Sequence, residues 1–172
     1  GYVQGMNDLL TPLLLVSLHP HVHSTQDNNN NNNNVDNDDG NDDKNSKIID
    51  QTEVLRCDVE QVSPQTMLDV EADAYWCLTK LLDDIQDHYT ASQPGIQRMV
   101  LKLEDLMKRT ESDLHAHLEE EGVNYLQFAF RWMNCLLLRE LSMRATMRLW
   151  DTYRAEEVGG FESFHVYVCA AL

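Results

Sequence analysis

Tyr2-Val3-Gln4, followed at once by Gly5-Met6-Asn7, is the segment of this 172-residue chain best suited to chemistry. The Gln4 carboxamide both accepts and donates hydrogen bonds at the end of a flexible stem, as a group that orients a water molecule must. It stands just ahead of an apolar run, residues 9–16, that reads as a helix. Free backbone N–H groups and the positive end of the dipole at such a helix start favour a nearby phosphate. Gly5 removes a side chain where another molecule has to come close. Tyr2 is expected to fix the path of the segment, and Asn7 and Asp8 to cap or hold its turn. The same pattern also describes an exposed first-turn glutamine with no chemistry, because polar residues are common at helix starts.

Other candidates read as structure. His19, His21 and His23 alternate, but no acidic or cysteine partner stands at ligand spacing, so a loop is expected and no metal site. His115 and His117 are two apart on a helix and point in different directions. Arg131, mid-helix between Phe130 and Trp132, reads as structural, pairing with Asp151 or Glu140. Trp76, Trp132 and Trp150 read as core aromatics, and Asp83-Asp84 as a solvated face. Cys57, Cys77, Cys135 and Cys169 form no C-x-x-C pair, and reduced, buried thiols of a cytoplasmic protein are expected.

The elements that must position these residues fall into three zones. Residues 1–18 read as one helix with a buried leucine stripe at 9, 10, 13 and 14, and Pro12 is expected to kink it. Residues 19–66 hold an unbroken asparagine run, 28–34, followed by interspersed aspartates. Such a composition cannot bury enough apolar surface to offset its conformational entropy, and a disordered insertion is expected. Residues 67–172 read as helical throughout. Tyr75, Leu78, Leu82 and Ile85, with Leu81 beside them, line one predicted helix, and Ile96, Met99, Val100, Leu103, Leu106 and Met107 the next, opened by Pro94. A short helix is expected over 112–121, one from an Asn124 cap to about Leu138, and one from a Ser142 cap to Tyr153. No stretch alternates with a period of two, so the fold class is all-α.

A net charge of −16 argues against nucleic acid and anionic membrane as direct partners. The longest apolar run is too short to span a bilayer.

Several segments, in this order, resemble the TBC domain, the activator of Rab-family small GTPases. They are Tyr2-Val3-Gln4-Gly5-Met6-Asn7, Glu71-Ala72-Asp73-Ala74-Tyr75-Trp76-Cys77, Tyr125 through Trp132, Arg139-Glu140 and Leu149-Trp150-Asp151. The wording is similar to the subgroup related to yeast Gyp-type activators. The resemblance implies that Gln4 is a catalytic "glutamine finger" inserted into a Rab GTPase, with Tyr2, Gly5 and Asn7 as partner-binding or motif support. It implies Trp76, Arg131, Trp132, Trp150 and Asp151 as structural motif residues. GTP and Mg2+ then belong to the partner, and the chain needs no cofactor of its own. Vesicle trafficking and a cytoplasmic, peripherally endomembrane-associated location are implied through partners.

The family's arginine motif, I-x-x-D-x-x-R, is found nowhere in these residues. The reading therefore expects a fragment truncated at both ends, lacking the upstream arginine finger and inactive in isolation. The alternative is a non-catalytic GTPase-binding or helical scaffold module.

Overall fold

The structure, a computed structural model, describes residues 4–30, 62–156 and 158–172, with the side chains of 23–30 left out. Among the described residues every regular element is helical. Helix α1 spans Met6–Asn30 and runs through both Pro12 and Pro20. It therefore passes the boundary expected at residue 18. Each proline removes one backbone donor, but Leu9, Pro12 and Val22 remain buried along its length. Of the asparagine-rich zone, 31–61 lies outside the described residues.

Helix α2 spans Pro64–Asp84 and opens on Ser63, whose Oγ accepts a hydrogen bond from the Thr66 amide at 3.1 Å. That cap satisfies one of the free donors of the first turn, and Pro64 has no donor to satisfy. It packs against α1. Val70, Ala74, Leu81 and, just past the helix, Ile85 are its buried positions. Leu81 and Ile85 were expected on this face, and Leu78 and Leu82 pack half-buried beside them, but Ala74 takes the place expected of Tyr75. Tyr75 and Trp76 stand out from it, and Trp76, expected in the core, is 68% exposed. At 3.6 residues per turn a shift of one position rotates a side chain by roughly 100°.

Helix α3, Pro94–Thr110, is the hub: it packs on α4 (Ser112–Glu120), α5 (Tyr125–Asn134) and α7 (His165–Ala170). Its buried Ile96, Met99, Val100, Leu103 and Met107 follow the expected spacing. They join Tyr125, Ala129, Met133, Leu137, Val166 and Cys169 in one apolar cluster. A second cluster joins Leu9 of α1 and Leu81 of α2 to Leu136, Trp150, Tyr153 and Phe161.

Helix α5 starts from a capping box between Asn124 and Gln127. It ends at Asn134, short of the expected Leu138. Leu136 and Leu137 adopt left-handed backbone, φ 48° and 62°, which no α-helix can contain. Both leucines are fully buried, and the Trp150 indole donates to the Leu136 carbonyl at 3.1 Å. Burial in both clusters and a satisfied carbonyl hold a conformation that a leucine does not choose alone. Helix α6, Met143–Ala155, opens on the Ser142 cap, and a π-helical turn at Gly160–Phe164 leads into α7.

One polar group lies at the base of this packing. His165 is fully buried, with Nδ1 2.7 Å from the Tyr153 hydroxyl and Nε2 3.1 Å from the Trp132 carbonyl. The carbonyl only accepts, so Nε2 carries the proton and Nδ1 accepts from Tyr153. Burial pushes the His165 pKa down to about 4, against the pull of the Trp132 carbonyl. Cys135 and Cys169 are buried free thiols as expected, whereas Cys77 is exposed; Cys57 lies outside the described residues.

Candidate functional site: the turn ahead of the first helix

The polypeptide enters α1 through a turn at Gln4 and Gly5. Gly5 has φ +105°, a region open to glycine and strained for other residues. It is buried against the side-chain amide of Asn134, and any Cβ placed there would run into that amide. The Asn134 Nδ2 donates to the Gln4 carbonyl at 3.0 Å, joining two residues 130 apart in the chain. Within the turn the Asp8 amide donates to the Gly5 carbonyl at 3.1 Å.

The first turn of α1 has its own anchor. The Asp8 carboxylate accepts from Arg139 Nε at 2.7 Å and from the Cys135 thiol at 3.4 Å. Burial, and then the bond to Asp8, raises the Cys135 pKa to about 11, so the thiol keeps its proton and remains a donor. From the other side the Tyr89 hydroxyl donates to the Asn134 carbonyl at 2.6 Å. Burial raises the pKa of Tyr89 as well, which keeps that phenol a donor at neutral pH. The base of the turn is thus held by Asn134, Cys135 and Arg139, with Tyr89 bracing Asn134. At its top the Gln4 side chain is exposed to solvent.

A family model for the Rab-GTPase-TBC domain matches residues 1–172. The chain belongs to that family. TBC1 domain family member 22A of Homo sapiens is 46% identical over 171 residues, and the GTPase-activating protein gyp1 of Schizosaccharomyces pombe is also 46% identical. Each alignment takes in 99% of this chain and 28% of the relative. The chain therefore spans little more than a quarter of the length of the curated relatives it matches. Its fold superposes on the crystal structure of the Ypt/Rab-GAP domain of Gyp1p with a TM-score of 0.78 at 41% identity, covering 99% of this chain and 46% of that one.

In this TBC chain the motif residues are dispersed. Gln4, Gly5 and Asn7 share the turn, with Gly5 buried and Gln4 and Asn7 exposed, while Tyr2 lies outside the described residues. Arg131 pairs with Glu140, both Nε and Nη2 lying 2.6 Å from Oε1, and Asp151 is exposed. Trp150 is buried in the second cluster, and Trp132 is half-buried against Phe128. Trp76 lines an open groove with Pro12, Leu13 and Met147. His115 is buried with Nδ1 3.3 Å from the Tyr125 hydroxyl, and His117 is exposed.

No group of three His, Cys, Asp or Glu side chains among the described residues could hold a metal ion. None of the described helices is long and apolar enough to cross a membrane.

The sequence reading missed Asn134, and it gave Tyr89 and Cys135 no part in the turn. The available signal was an asparagine inside the apolar run Trp132-Met133-Asn134-Cys135-Leu136-Leu137-Leu138. A polar side chain in such a run needs a buried partner.

Proposed function

We propose that this chain carries the glutamine finger of a Rab GTPase activator. Gln4 enters the nucleotide site of a GTP-loaded Rab, and its carboxamide orients the water that attacks the γ-phosphate. Phosphoryl transfer leaves little covalent chemistry to the protein; catalysis is positioning and stabilisation of charge on the transferring oxygens. The observation that carries the reading is an exposed glutamine on a turn whose backbone is tied down, in a chain of this family. Asn7, exposed beside the finger, meets the partner, and Gly5 lets the turn lie close to its own scaffold. The arginine that neutralises the transferring phosphoryl group comes from sequence beyond these residues, where the family's I-x-x-D-x-x-R motif belongs. GTP and Mg2+ are the partner's, so the chain lends a side chain in trans and hydrolyses nothing by itself.

The test is single-turnover GTP hydrolysis by a panel of Rab GTPases, stimulated by the full-length protein and by its Gln4→Ala variant. Loss of a transition-state hydrogen-bonding group of this kind costs about 10²–10³ in rate. Because Gln4 is exposed, the melting temperature should stay unchanged. Stimulation by Gln4→Ala equal to wild type would show that Gln4 is no finger. Binding to a Rab–GDP–aluminium fluoride complex without any stimulation would favour a non-catalytic binding module.

A further inference from the structure

We propose that Asn134 is a positioning residue for the reaction, its buried carboxamide setting the backbone from which Gln4 reaches. The inference rests on the reading of Gln4 as the finger. Among the described residues no hydrogen bond to the Gln4 side chain is present, so the backbone fixes the point from which it reaches. That backbone is held at the Gln4 carbonyl by Asn134 Nδ2, at 3.0 Å.

Three further observations tie the residue to this task. Asn134 is only 6% exposed, yet among the described residues its buried Oδ1 has no hydrogen-bond partner. An unpaired buried acceptor carries a desolvation penalty that an apolar side chain of similar size avoids. Stability alone therefore does not account for asparagine here, whereas the donor directed at Gln4 does. Gly5 lies flat against the same amide, so the turn and Asn134 fit only as a pair. Tyr89 fixes Asn134 in turn, through the 2.6 Å bond from its hydroxyl to the Asn134 carbonyl. The helix end that makes this carbonyl available is produced by the left-handed Leu136 and Leu137. Strain of that kind is retained where surrounding structure demands it, commonly at functional sites.

Asp8, held by Arg139 and Cys135, anchors the first turn of α1 independently. Loss of the Asn134 donor should therefore misdirect Gln4 without releasing the helix. A displacement on the order of 1 Å at a catalytic group is enough to cost about 10²-fold in rate.

The experiment measures stimulated single-turnover hydrolysis by full-length Asn134→Ala across activator concentrations, on a GTP-loaded Rab that the wild type stimulates. The maximal rate should fall about 10- to 100-fold while the half-saturating concentration stays within about threefold. In a Gln4→Ala background the same substitution should change the rate less than about twofold, because the group it positions is gone. An undiminished maximal rate in Asn134→Ala, or an equal loss in both backgrounds, would overturn the inference. If Gln4→Ala itself retains full stimulation, it is the finger reading that fails. If Gln4→Ala abolishes stimulation and Asn134→Ala does not, only the positioning role fails. Should Asn134→Ala not fold, Tyr89→Phe removes a single oxygen and should lower the maximal rate about three- to tenfold at unchanged half-saturation. A folded Tyr89→Phe protein with the wild-type rate counts against the proposal.

Discussion

The cluster around Met99 and the turn at Gln4 are both built on buried residues, but different forces hold them. The cluster gathers Ile96, Met99, Val100, Leu103 and Met133 from neighbouring helices, and apolar burial, which has no direction, keeps them together. The turn depends on a few directed bonds: Asn134 to the Gln4 carbonyl, Tyr89 to the Asn134 carbonyl, and Arg139 and Cys135 to Asp8. Packing contributes most of the stability and tolerates small shifts of any one side chain. Directed bonds add less free energy each, about 0.5–1.5 kcal/mol net, but they fix a position. The role proposed for Gln4, placing one water in another protein's active site, calls for the second kind of support.

If that contrast is right, damage to the two regions should separate stability from activity. The largest stability effect is expected from Leu103→Ala, at the fully buried centre of the cluster. Such a truncation costs about 2–5 kcal/mol. Chemical denaturation should show the loss, while stimulated GTP hydrolysis per folded molecule stays at the wild-type level. A selective fall in that rate would mean that the core and the turn are coupled.

A buried histidine in the core provides a pH test. His165 has a folded-state pKa of about 4, below its ordinary value of 6.5. The unfolded chain therefore binds the proton more readily, and stability falls as pH drops from about 6.5 towards 4. His88, also buried and shifted down, adds in the same direction. Denaturation midpoints between pH 7.5 and 4.5 should decline, and His165→Gln should flatten the slope. A midpoint that holds constant to pH 4.5 would show that the buried imidazole is not kept neutral by the fold.

A smaller loss of stability than in the core is expected from Gly5→Ala. A side chain forced into left-handed backbone costs about 1–3 kcal/mol, and here it also displaces the Asn134 amide. Stability should fall modestly and stimulated hydrolysis much further. Equal proportional losses would erase the distinction between the regions.

Legibility in the sequence followed the same division. The buried face of α3 repeats every three to four residues, and the apolar cluster could be drawn from that period. Ser63, Asn124 and Ser142 each cap a helix through a local hydrogen bond; the latter two were readable as caps because that bond forms within a few residues of chain. On α2 the leucines and Ile85 were read correctly, but Tyr75 and Trp76 were placed inside, since an aromatic pair also fits a stripe adjacent to the buried one. Packing of α2 on α1 selected Val70, Ala74 and Leu81, leaving Trp76 outside. The end of α5 was misjudged because leucine is a good helix former. Nothing local announces that Leu136 and Leu137 turn left-handed; burial and the Trp150 indole determine it.

By itself, then, the sequence determined the helical class, the central apolar faces, the Asn124 and Ser142 caps and the glutamine worth suspecting, because each is a pattern within one or two turns of chain. Tertiary structure alone decided what holds that glutamine's turn. Asn134 meets Gln4 across 130 residues, and a hydrogen bond between residues so far apart leaves no periodicity in either segment. It exists only once α1, α5 and the Tyr89 segment have packed, because packing brings donor and acceptor within reach and excludes the water that would otherwise compete for them.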